Sequence, residues 1–308
     1  MMAPMPAAEP PAPLTTEAAD TRHPDLDRYE TPELIAAFVD DQQGAVAAVR
    51  AAAPDLARAV DAAVPRIAAG GRLIYIGAGT SGRLGVLDSV ALNPTFSWPR
   101  DRAQALMAGG DAAMYAAVEG AEDDGPQGSA DLHRLGPTEN DVVLLIAASG
   151  ATPYVLGALQ AARASGALTI AIANNPGSPL AAFAEIGITL DTGAEVISGS
   201  TRLKAGTAQK IALNTFSSAL MVRLHKVYGN LMVDLRATNA KLLRRAQRLT
   251  MEATACSAME AERTLQACDY RIKVAIVALK RRIDTRRADG LLRDHGGSVR
   301  GALAAPVP

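Results

Sequence analysis

Apolar residues recur along the chain with two different spacings, and these spacings divide it into three regions. Over 31–69 they recur every three or four positions, as on one face of a helix. From Arg72 to about Asp191, short runs that are apolar throughout alternate with helical patterns. From Arg202 onward the helical spacing returns. The chain is therefore predicted to be helical at both ends and mixed in the middle.

The middle region is predicted to be an α/β domain. Its apolar runs are short and uninterrupted, as in strands that are buried on both faces of a parallel sheet. Helical patterns separate one run from the next, and helices on both faces of the sheet would supply that burial. We therefore expect a three-layer αβα sandwich with a parallel sheet of about five strands, built from RLIYIGAG, AQALMAGG, DVVLLIAASG, LTIAIANN and EIGITLD.

Helical regions are predicted on either side of this domain. Thr31 is a predicted N-cap, followed by Pro32 and Glu33, which are residue types that favour the first turn of a helix. After the sheet, 203–228 predicts one long helix, and the chain from Asn239 to its end predicts about four more.

The expected domains are 1–30, a mostly disordered leader; 31–235, the α/β domain with its N-terminal helices; and 236–308, a C-terminal helical domain. The leader prediction rests on MMAPMPAAEPPAPL, which is rich in proline and alanine and lacks the charged start of a secretory signal. NLMVDL is the expected linker between the α/β domain and the helical domain.

Composition narrows the class of partner. Aromatic residues make up only 4% of the chain, which argues against a surface that stacks nucleic-acid bases. The formal net charge is -1, so no overall basic field would attract nucleic acid or an anionic membrane. Cys256 and Cys268 lack the spacing of metal ligands and suit a reducing compartment. We expect a cytoplasmic protein that binds neither nucleic acid nor membrane.

Three loops that follow predicted strands carry the candidate chemistry. GAGTSG contains Thr80 and Ser81, AASGATPY contains Ser149 and Thr152, and GAEVISGSTRLKAGT is rich in hydroxyl and basic side chains. Ligands of parallel sheets bind beyond the carboxyl ends of the strands, and helix starts with small hydroxyl donors suit phosphate. For any single loop the alternative is ordinary helix capping by Ser or Thr. Three such loops together favour a phosphate-bearing ligand.

A dinucleotide site is the competing interpretation of the first loop. Gly77, Gly79 and Gly82 fit the G-x-G-x-x-G pattern after a predicted strand. That pattern needs an acidic residue after the second strand, where Asp111 follows two glycines and offers weak support. An NADH titration would separate the two interpretations.

Seven segments together carry a family resemblance. They resemble the N-acetylmuramic acid 6-phosphate etherase family, whose fold is the phosphosugar-binding sugar isomerase (SIS) domain, and they occur in the order of that family. The segments are GAGTSGRLGVLD, AVEGAEDD, IAASGATPYV, NNPGSPL, GAEVISGSTRLKAGTAQK, GNLMVDLRATNAKL and RDHGG. The chain resembles that family over most of its length. The resemblance implies cleavage of a lactyl ether to N-acetylglucosamine 6-phosphate and D-lactate, in peptidoglycan recycling, with neither metal nor organic cofactor. It also implies a homodimer, with 203–228 and the N-terminal region as candidate contacts.

The resemblance implies two catalytic glutamates, one of which is absent. The expected reaction removes the C2 proton, expels lactate from C3 and then adds water, so it needs an ionised base and a separate acid. The second Glu of EGAED, Glu122, would be the base. The acid belongs to a segment of the type LDASECPPTF, which reads LDSVALNPTF here, so Ala91 occupies its position.

Three explanations of Ala91 are open at this point. The chain is an engineered Glu-to-Ala variant, which we favour, or a natural phosphosugar-binding regulator without catalysis, or an enzyme in which another acid substitutes. The remaining positions carried over from the family would bind substrate: Thr80, Ser81, Ser149, Thr152, Glu195, Ser200, Arg202 and Lys204. For Glu195 the alternative role is capping of the next helix.

Overall fold

The five apolar runs form one sheet in the computed structural model, which describes residues 14–237 and 239–306. The strand order is β2-β1-β3-β4-β5, and the pairings of β1 with β3, β3 with β4 and β4 with β5 are parallel. The strands are β1 Leu73–Gly77, β2 Ala103–Met107, β3 Val142–Ala147, β4 Leu168–Ala173 and β5 Ile186–Thr189. The predicted parallel sheet of five strands is confirmed.

Burial differs between the central and the edge strands of this sheet. Every residue of β1, β3 and β4 is buried, whereas β5 alternates between buried and half-buried positions and β2 is mostly half-buried. An uninterrupted apolar run predicts a strand that is covered on both faces of the sheet, and the central strands are covered in this way.

In the described residues, three α-helices precede β1, four lie between strands and one directly follows β5. They are α1 Thr31–Asp41, α2 Gln43–Ala51, α3 Ala53–Ala68, α4 Gly79–Phe96, α5 Gly125–Arg134, α6 Pro153–Ala164, α7 Pro179–Phe183 and α8 Lys204–Arg223. The helix α3 buries Leu56, Val60, Ala63 and Ile67, which recur at the spacing of one helix face. The N-cap of α1 is Glu30 rather than the predicted Thr31, because Glu30 is extended and exchanges capping hydrogen bonds with Glu33.

The predicted leader differs from the structure over its second half. Residues 1–13 lie outside the described residues, so that part of the prediction remains open. Short 3₁₀ helices span Thr15–Glu17 and Leu26–Arg28. Thr16 is fully buried, and its hydroxyl accepts a hydrogen bond of 3.0 Å from Nδ2 of Asn175. Single polar contacts therefore fix this segment, which has too few apolar residues for sequence periodicity to mark it.

The chain divides into two compact units at positions other than those predicted. The described part of the first unit comprises 14–89 and 104–216, and that of the second comprises 90–103, 217–237 and 239–306. Val233 and Leu235 are buried in the core of the second unit with Ile272 and Ile276. The segment NLMVDL is thus part of the helical unit and not a linker before it.

The helical unit contains five helices after Asn239 where about four were predicted. They are α9 Ala240–Thr254, α10 Ala258–Gln266, α11 Ile272–Arg281, α12 Thr285–Asp294 and α13 Val299–Ala304. Asp269 and Tyr270 have φ values of 53° and 56°, which helical residues do not adopt, and they separate α10 from α11. Across the described residues, we find no helix with the length and apolar character needed to cross a bilayer.

Candidate active site

The turn from β1 into α4 brings strand and helix into close contact. A Cβ atom built on Gly77 would lie 2.7 Å from the backbone nitrogen of Gly82, so the strand and helix can approach this closely only with glycine. Thr80, the second residue of α4, is half-buried, and its methyl group would lie 3.3 Å from a Cβ on Gly206. Its hydroxyl has no hydrogen-bond partner among the described residues and is therefore available to a ligand.

Ser81 belongs to a buried polar network rather than to the open loop. Its hydroxyl donates a hydrogen bond of 2.8 Å to Oε1 of Gln209, and Nε2 of Gln209 donates one of 2.8 Å to Oδ1 of Asn174. The amide of Asn174 in turn donates to the carbonyl of Leu190 at 3.2 Å. The Ser81 hydroxyl thus helps to hold the loop to α8 and to the end of β4, and its ligand contact stays a prediction.

The loop after β3 presents two hydroxyls side by side. Oγ of Ser149 lies 3.4 Å from Oγ1 of Thr152, and both residues are half-buried. Thr152 is the N-cap of α6, yet its side chain forms no capping hydrogen bond within the described chain. Gly150 has a φ of 67°, and a Cβ there would lie 2.4 Å from Oγ of Ser178. Helix capping does not explain the Thr152 hydroxyl, which leaves it for a ligand.

Glu195, in the loop after β5, and Lys204, the first residue of α8, both form side-chain hydrogen bonds within the protein. The carboxylate of Glu195 is fully buried and accepts hydrogen bonds from the backbone nitrogens of Lys204 at 2.9 Å and Ala205 at 2.8 Å. Burial raises the pKa of Glu195, although these N–H groups and the Lys204 ammonium act in the opposite direction. The alternative role of Glu195, capping of α8, is thus the observed one.

Lys204 forms a buried ion pair with Asp41, and its contact with substrate stays a prediction. Its Nζ lies 2.8 Å from Oδ1 of Asp41 and donates a hydrogen bond of 2.6 Å to the carbonyl of Ala194. Only 5% of the Lys204 side chain is exposed, so its charge is neutralised within the fold. By contrast, Ser200 is half-buried and Arg202 is exposed, and the part of the chain that the structure describes holds no partner for the Arg202 guanidinium.

Glu122 lies at the mouth of the β1–α4 turn. It is exposed in the 3₁₀ helix Ala121–Asp123, and its Oε1 would lie 3.1 Å from a Cβ on Gly79. A cleft of about 380 Å³ adjoins it, lined in part by Gly79 and Arg83. Arg83 donates a hydrogen bond of 2.7 Å to the carbonyl of Ala113, which fixes the opposite wall. The cleft thus holds an exposed carboxylate close to Gly79, the first residue of α4.

Ala91 is exposed on α4 and carries only a methyl group. The one carboxylate of its segment, Asp88, is 3% exposed and accepts hydrogen bonds from Oη of Tyr75 at 2.8 Å and Nδ2 of Asn214 at 2.6 Å. Burial and the Asp88 charge raise the pKa of Tyr75 well above its usual value. Asp88 therefore anchors α4 to β1 and α8 through both of its oxygens.

Sequence reasoning missed Glu17, which the structure places against the loop after β5. Its Oε2 would lie 2.9 Å from a Cβ on Gly199, and Oγ of Ser198 donates a hydrogen bond of 2.9 Å to the carbonyl of Ala18. No periodic pattern marks so short a segment, because single side chains make its contacts with loops far along the chain.

The described residues contain no cluster of three or more histidine, cysteine or acidic side chains that could hold a metal ion.

Comparison with family profiles identifies the α/β domain as a SIS domain. Residues 124–219 match the profile of the SIS domain, and residues 55–163 match that of the glucokinase regulatory protein N-terminal SIS domain. A solved phosphoheptose isomerase from Francisella tularensis is similar with a TM-score of 0.48 and 22% identity, covering 62% of this chain and 98% of that chain.

Two curated relatives identify the family. The N-acetylmuramic acid 6-phosphate etherase of Deinococcus radiodurans is 56% identical over 291 residues, which are 94% of this chain and 95% of that protein. The protein of that name from Salmonella gallinarum is 49% identical over 293 residues, 94% of this chain and 99% of the relative. The chain belongs to the N-acetylmuramic acid 6-phosphate etherase family, a family of carbon–oxygen lyases.

Proposed function

We propose that the chain binds N-acetylmuramic acid 6-phosphate and carries the machinery that cleaves its lactyl ether. The products would be N-acetylglucosamine 6-phosphate and D-lactate, in the recycling of peptidoglycan amino sugars in the cytoplasm. The observation that carries this proposal is the placement of the Glu122 carboxylate close to Gly79 at the start of α4, where the next residue, Thr80, has an unpartnered hydroxyl.

The strand-exit loops would hold the phosphosugar. Thr80 lies in the first turn of α4, and Ser149 and Thr152 precede α6, so hydroxyl donors and helix N–H groups are available at both helix starts. Ser200 and the exposed guanidinium of Arg202 would add contacts from the third loop. Ser81, Glu195 and Lys204 would act by positioning these loops, since their polar groups are bonded within the protein.

Glu122 would be the general base of the elimination. Its exposed carboxylate takes the C2 proton, which is acidic because it is adjacent to the aldehyde of the open-chain sugar. The electron pair forms the C2–C3 double bond while the C3–O bond breaks, and the leaving lactate oxygen takes up a proton. Water then adds across the double bond, its oxygen to C3 and a proton to C2. Atoms and charge balance without an oxidant or reductant.

Protonation of the leaving lactate oxygen is the step that Ala91 would impair. An alkoxide is a poor leaving group, and loss of a general acid costs about 10²–10⁴-fold in rate. We propose that Ala91 stands in place of the proton donor and that this chain binds its substrate but releases lactate slowly. If another acid substitutes, Glu17 is the candidate, because its carboxylate lies at the loop that contains Gly199.

A homodimer would complete the site. Leu87, where the segment of the missing acid begins, is eight residues from Gly79 along α4, a separation of about 12 Å at the rise of an α-helix. Glu122 lies at the Gly79 end, so one copy of the chain would contribute the base and another the acid position. The side chains of Ile35 and Val39 are exposed by 60% and 62% on one face of α1 and offer an apolar contact surface. Light scattering after gel filtration would give twice the chain mass if this proposal holds, and a monomer would reject it.

Isotope exchange separates the base from the acid. In deuterated water the chain as it stands should exchange the C2 hydrogen of N-acetylmuramic acid 6-phosphate while releasing little lactate, since Glu122 is present and the acid is not. Glu122→Gln should abolish the exchange. The absence of both exchange and binding would reject the proposed function. If Glu17 supplies the proton, Glu17→Gln should lower the residual lactate release while leaving the exchange unchanged.

A further inference from the structure

The helical unit contains a cleft of about 540 Å³ whose lining is strongly basic. Two of its walls are lined by Asp234 and Arg236, which occur in the family segment GNLMVDLRATNAKL, and by Gly296 and Gly297, which occur in RDHGG. Both segments belong to the family resemblance, and the proposed etherase chemistry assigns neither of them a role. The charged residues that line this basic cleft are Lys226, Arg236, Arg271, Lys273 and Arg293, opposed by Asp234 and Asp289.

The lining carries more positive than negative charge. Five basic side chains face two aspartates, an excess of three positive charges in a chain whose formal net charge is -1. Concave walls of low polarisability concentrate such a field, so the cleft should raise the local concentration of small anions.

Two ammonium groups compete for one carboxylate oxygen in this cleft. Oδ2 of Asp234 accepts from Nζ of Lys226 at 2.6 Å and from Nζ of Lys273 at 2.9 Å. Only 11% of the Lys273 side chain is exposed, and burial lowers its pKa although Asp234 opposes that shift. One positive charge is therefore left without a counter-ion at a partly desolvated position.

The other aspartate is shared in the same way. Oδ1 of Asp289 lies 2.7 Å from Nη1 of Arg271, and Oδ2 lies 2.9 Å from Nη1 of Arg293. Each guanidinium uses one nitrogen for this pair and keeps further N–H donors. Arg236 is exposed and has no hydrogen-bond partner in the ranges 14–237 and 239–306. The cleft thus combines excess charge with unused donors.

Two glycines leave the space beside the buried ammonium open. Gly296 and Gly297 have φ values of 61° and 79°, which favour glycine, and a Cβ on Gly297 would lie 3.7 Å from Nζ of Lys273. A side chain at this position would fill the approach to the lysine. The backbone of the RDHGG segment therefore permits a ligand atom to reach the charge.

We propose that the basic cleft is a binding site for a phosphate monoester. An excess of three positive charges matches a dianion better than the single charge of a carboxylate such as lactate. The Arg fork, with parallel N–H donors, suits phosphate oxygens, and the cleft volume admits a sugar ring as well as the phosphate. The site lies wholly in the helical unit and stands whether or not the chain cleaves an ether.

Lysine modification with an amine-reactive ester, read by mass spectrometry, tests this site with inorganic phosphate as the probe. Lys226 and Lys273 should react about tenfold more slowly at a phosphate concentration ten times its dissociation constant. Lys280 lies on the same helix α11 as Lys273, is exposed and does not line the cleft, so its rate should not change. Potassium chloride at equal ionic strength removes the effect of screening. Because the readout is local, phosphate bound at the strand-exit loops would not produce it.

Two variants make the test independent of folding. Lys273→Met should abolish the protection of Lys226, and Arg236→Ala, at an exposed side chain, should weaken it about threefold or more while the melting temperature stays unchanged. Lys280→Met is the matched control and should retain full protection. The proposal is overturned if phosphate protects neither lysine, if D-lactate protects them equally well, or if Arg236→Ala and Lys273→Met both bind phosphate as tightly as the unchanged chain.

Discussion

The two edges of the sheet use polar side chains in opposite ways. At the amino edge, Asp141 is 1% exposed and both of its oxygens are saturated: Oδ1 accepts from the backbone nitrogen of Arg72 at 2.8 Å, and Oδ2 accepts from Nη2 of Arg72 at 2.6 Å and from the backbone nitrogen of Thr138 at 2.8 Å. The guanidinium also donates to the carbonyl of Leu135 at 2.9 Å. This cluster ties the start of β1 to the start of β3.

At the carboxyl edge, polar groups are left open. The Thr80 hydroxyl has no partner in the described chain, Thr152 does not cap its helix, and Glu122 is exposed at the cleft. Buried polar groups that are fully bonded stabilise a fold, whereas open ones at a strand exit are available to a ligand. The amino edge thus holds the sheet together, whereas the carboxyl edge offers open polar groups to a ligand. Substitutions at each edge test this difference.

The largest expected effect is at Glu122. In a chain that carries Ala91→Glu, Glu122→Gln should lower lactate release by about 10²–10⁴-fold, because the amide cannot accept the C2 proton. The melting temperature should not fall, since the side chain is exposed. Glu139→Gln, an equally exposed carboxylate at the amino edge, is the control and should leave the rate unchanged. Equal losses in both variants would remove the distinction between the edges.

A smaller effect, on stability alone, is expected at Asp141. Asp141→Asn should lower the free energy of unfolding by about 1–3 kcal/mol, because the amide cannot accept every hydrogen bond that the carboxylate accepts. Urea denaturation measures this change, and phosphosugar binding by the folded variant should remain intact. Weakened binding without loss of stability would contradict the structural role of this edge.

The pH dependence of that difference has a definite sign. Burial raises the pKa of Asp141, but the Arg72 guanidinium and the N–H groups of Thr138 and Arg72 outweigh it and hold the pKa below its ordinary value of 3.8. A lowered folded-state pKa means that the ionised form stabilises the folded state. The stabilisation is complete above the ordinary value and is lost as the pH falls through the folded-state value. The gap between the unchanged chain and Asp141→Asn should therefore narrow in acid, and a gap that widened there would reject this account.

The smallest expected effect is at Ser149. Ser149→Ala should weaken binding of N-acetylglucosamine 6-phosphate about tenfold or more, since one hydrogen bond to a charged group contributes a net of about 1.5–3 kcal/mol. Calorimetric titration measures this change. Ser165→Ala lies at the opposite end of α6, where its hydroxyl donates to the carbonyl of Ala162, and should bind normally. Equal weakening in both serine variants would place the effect in helix stability and not in ligand contact.

The sequence predicted the sheet better than it predicted single side-chain roles. The strands could be predicted because an uninterrupted apolar run is a local signal of burial on both faces. The strand-exit loops could be located from the same signal, and the structure places the Glu122 carboxylate close to Gly79, the residue before Thr80, in the first of them. Ser81 and Lys204 were assigned to ligand binding, but their partners, Gln209 and Asp41, are 128 and 163 residues away in sequence.

A local sequence pattern cannot predict hydrogen-bond partners that are this distant in sequence. Near the predicted boundary, Val233 and Leu235 likewise pack against helices that come later in the chain. Contacts between remote segments decide whether a polar side chain is bonded or open, and no spacing within one segment reveals them.

The most direct test of the central claim is lactate release from N-acetylmuramic acid 6-phosphate by the chain with Ala91 and by its Ala91→Glu variant. If the fold holds an etherase site that lacks only its proton donor, the restored glutamate should raise the rate by about 10²–10⁴-fold, while exchange of the C2 hydrogen is already present with Ala91. An Ala91→Glu variant that binds the substrate but releases lactate no faster would contradict the claim and favour a phosphosugar-binding protein without catalysis.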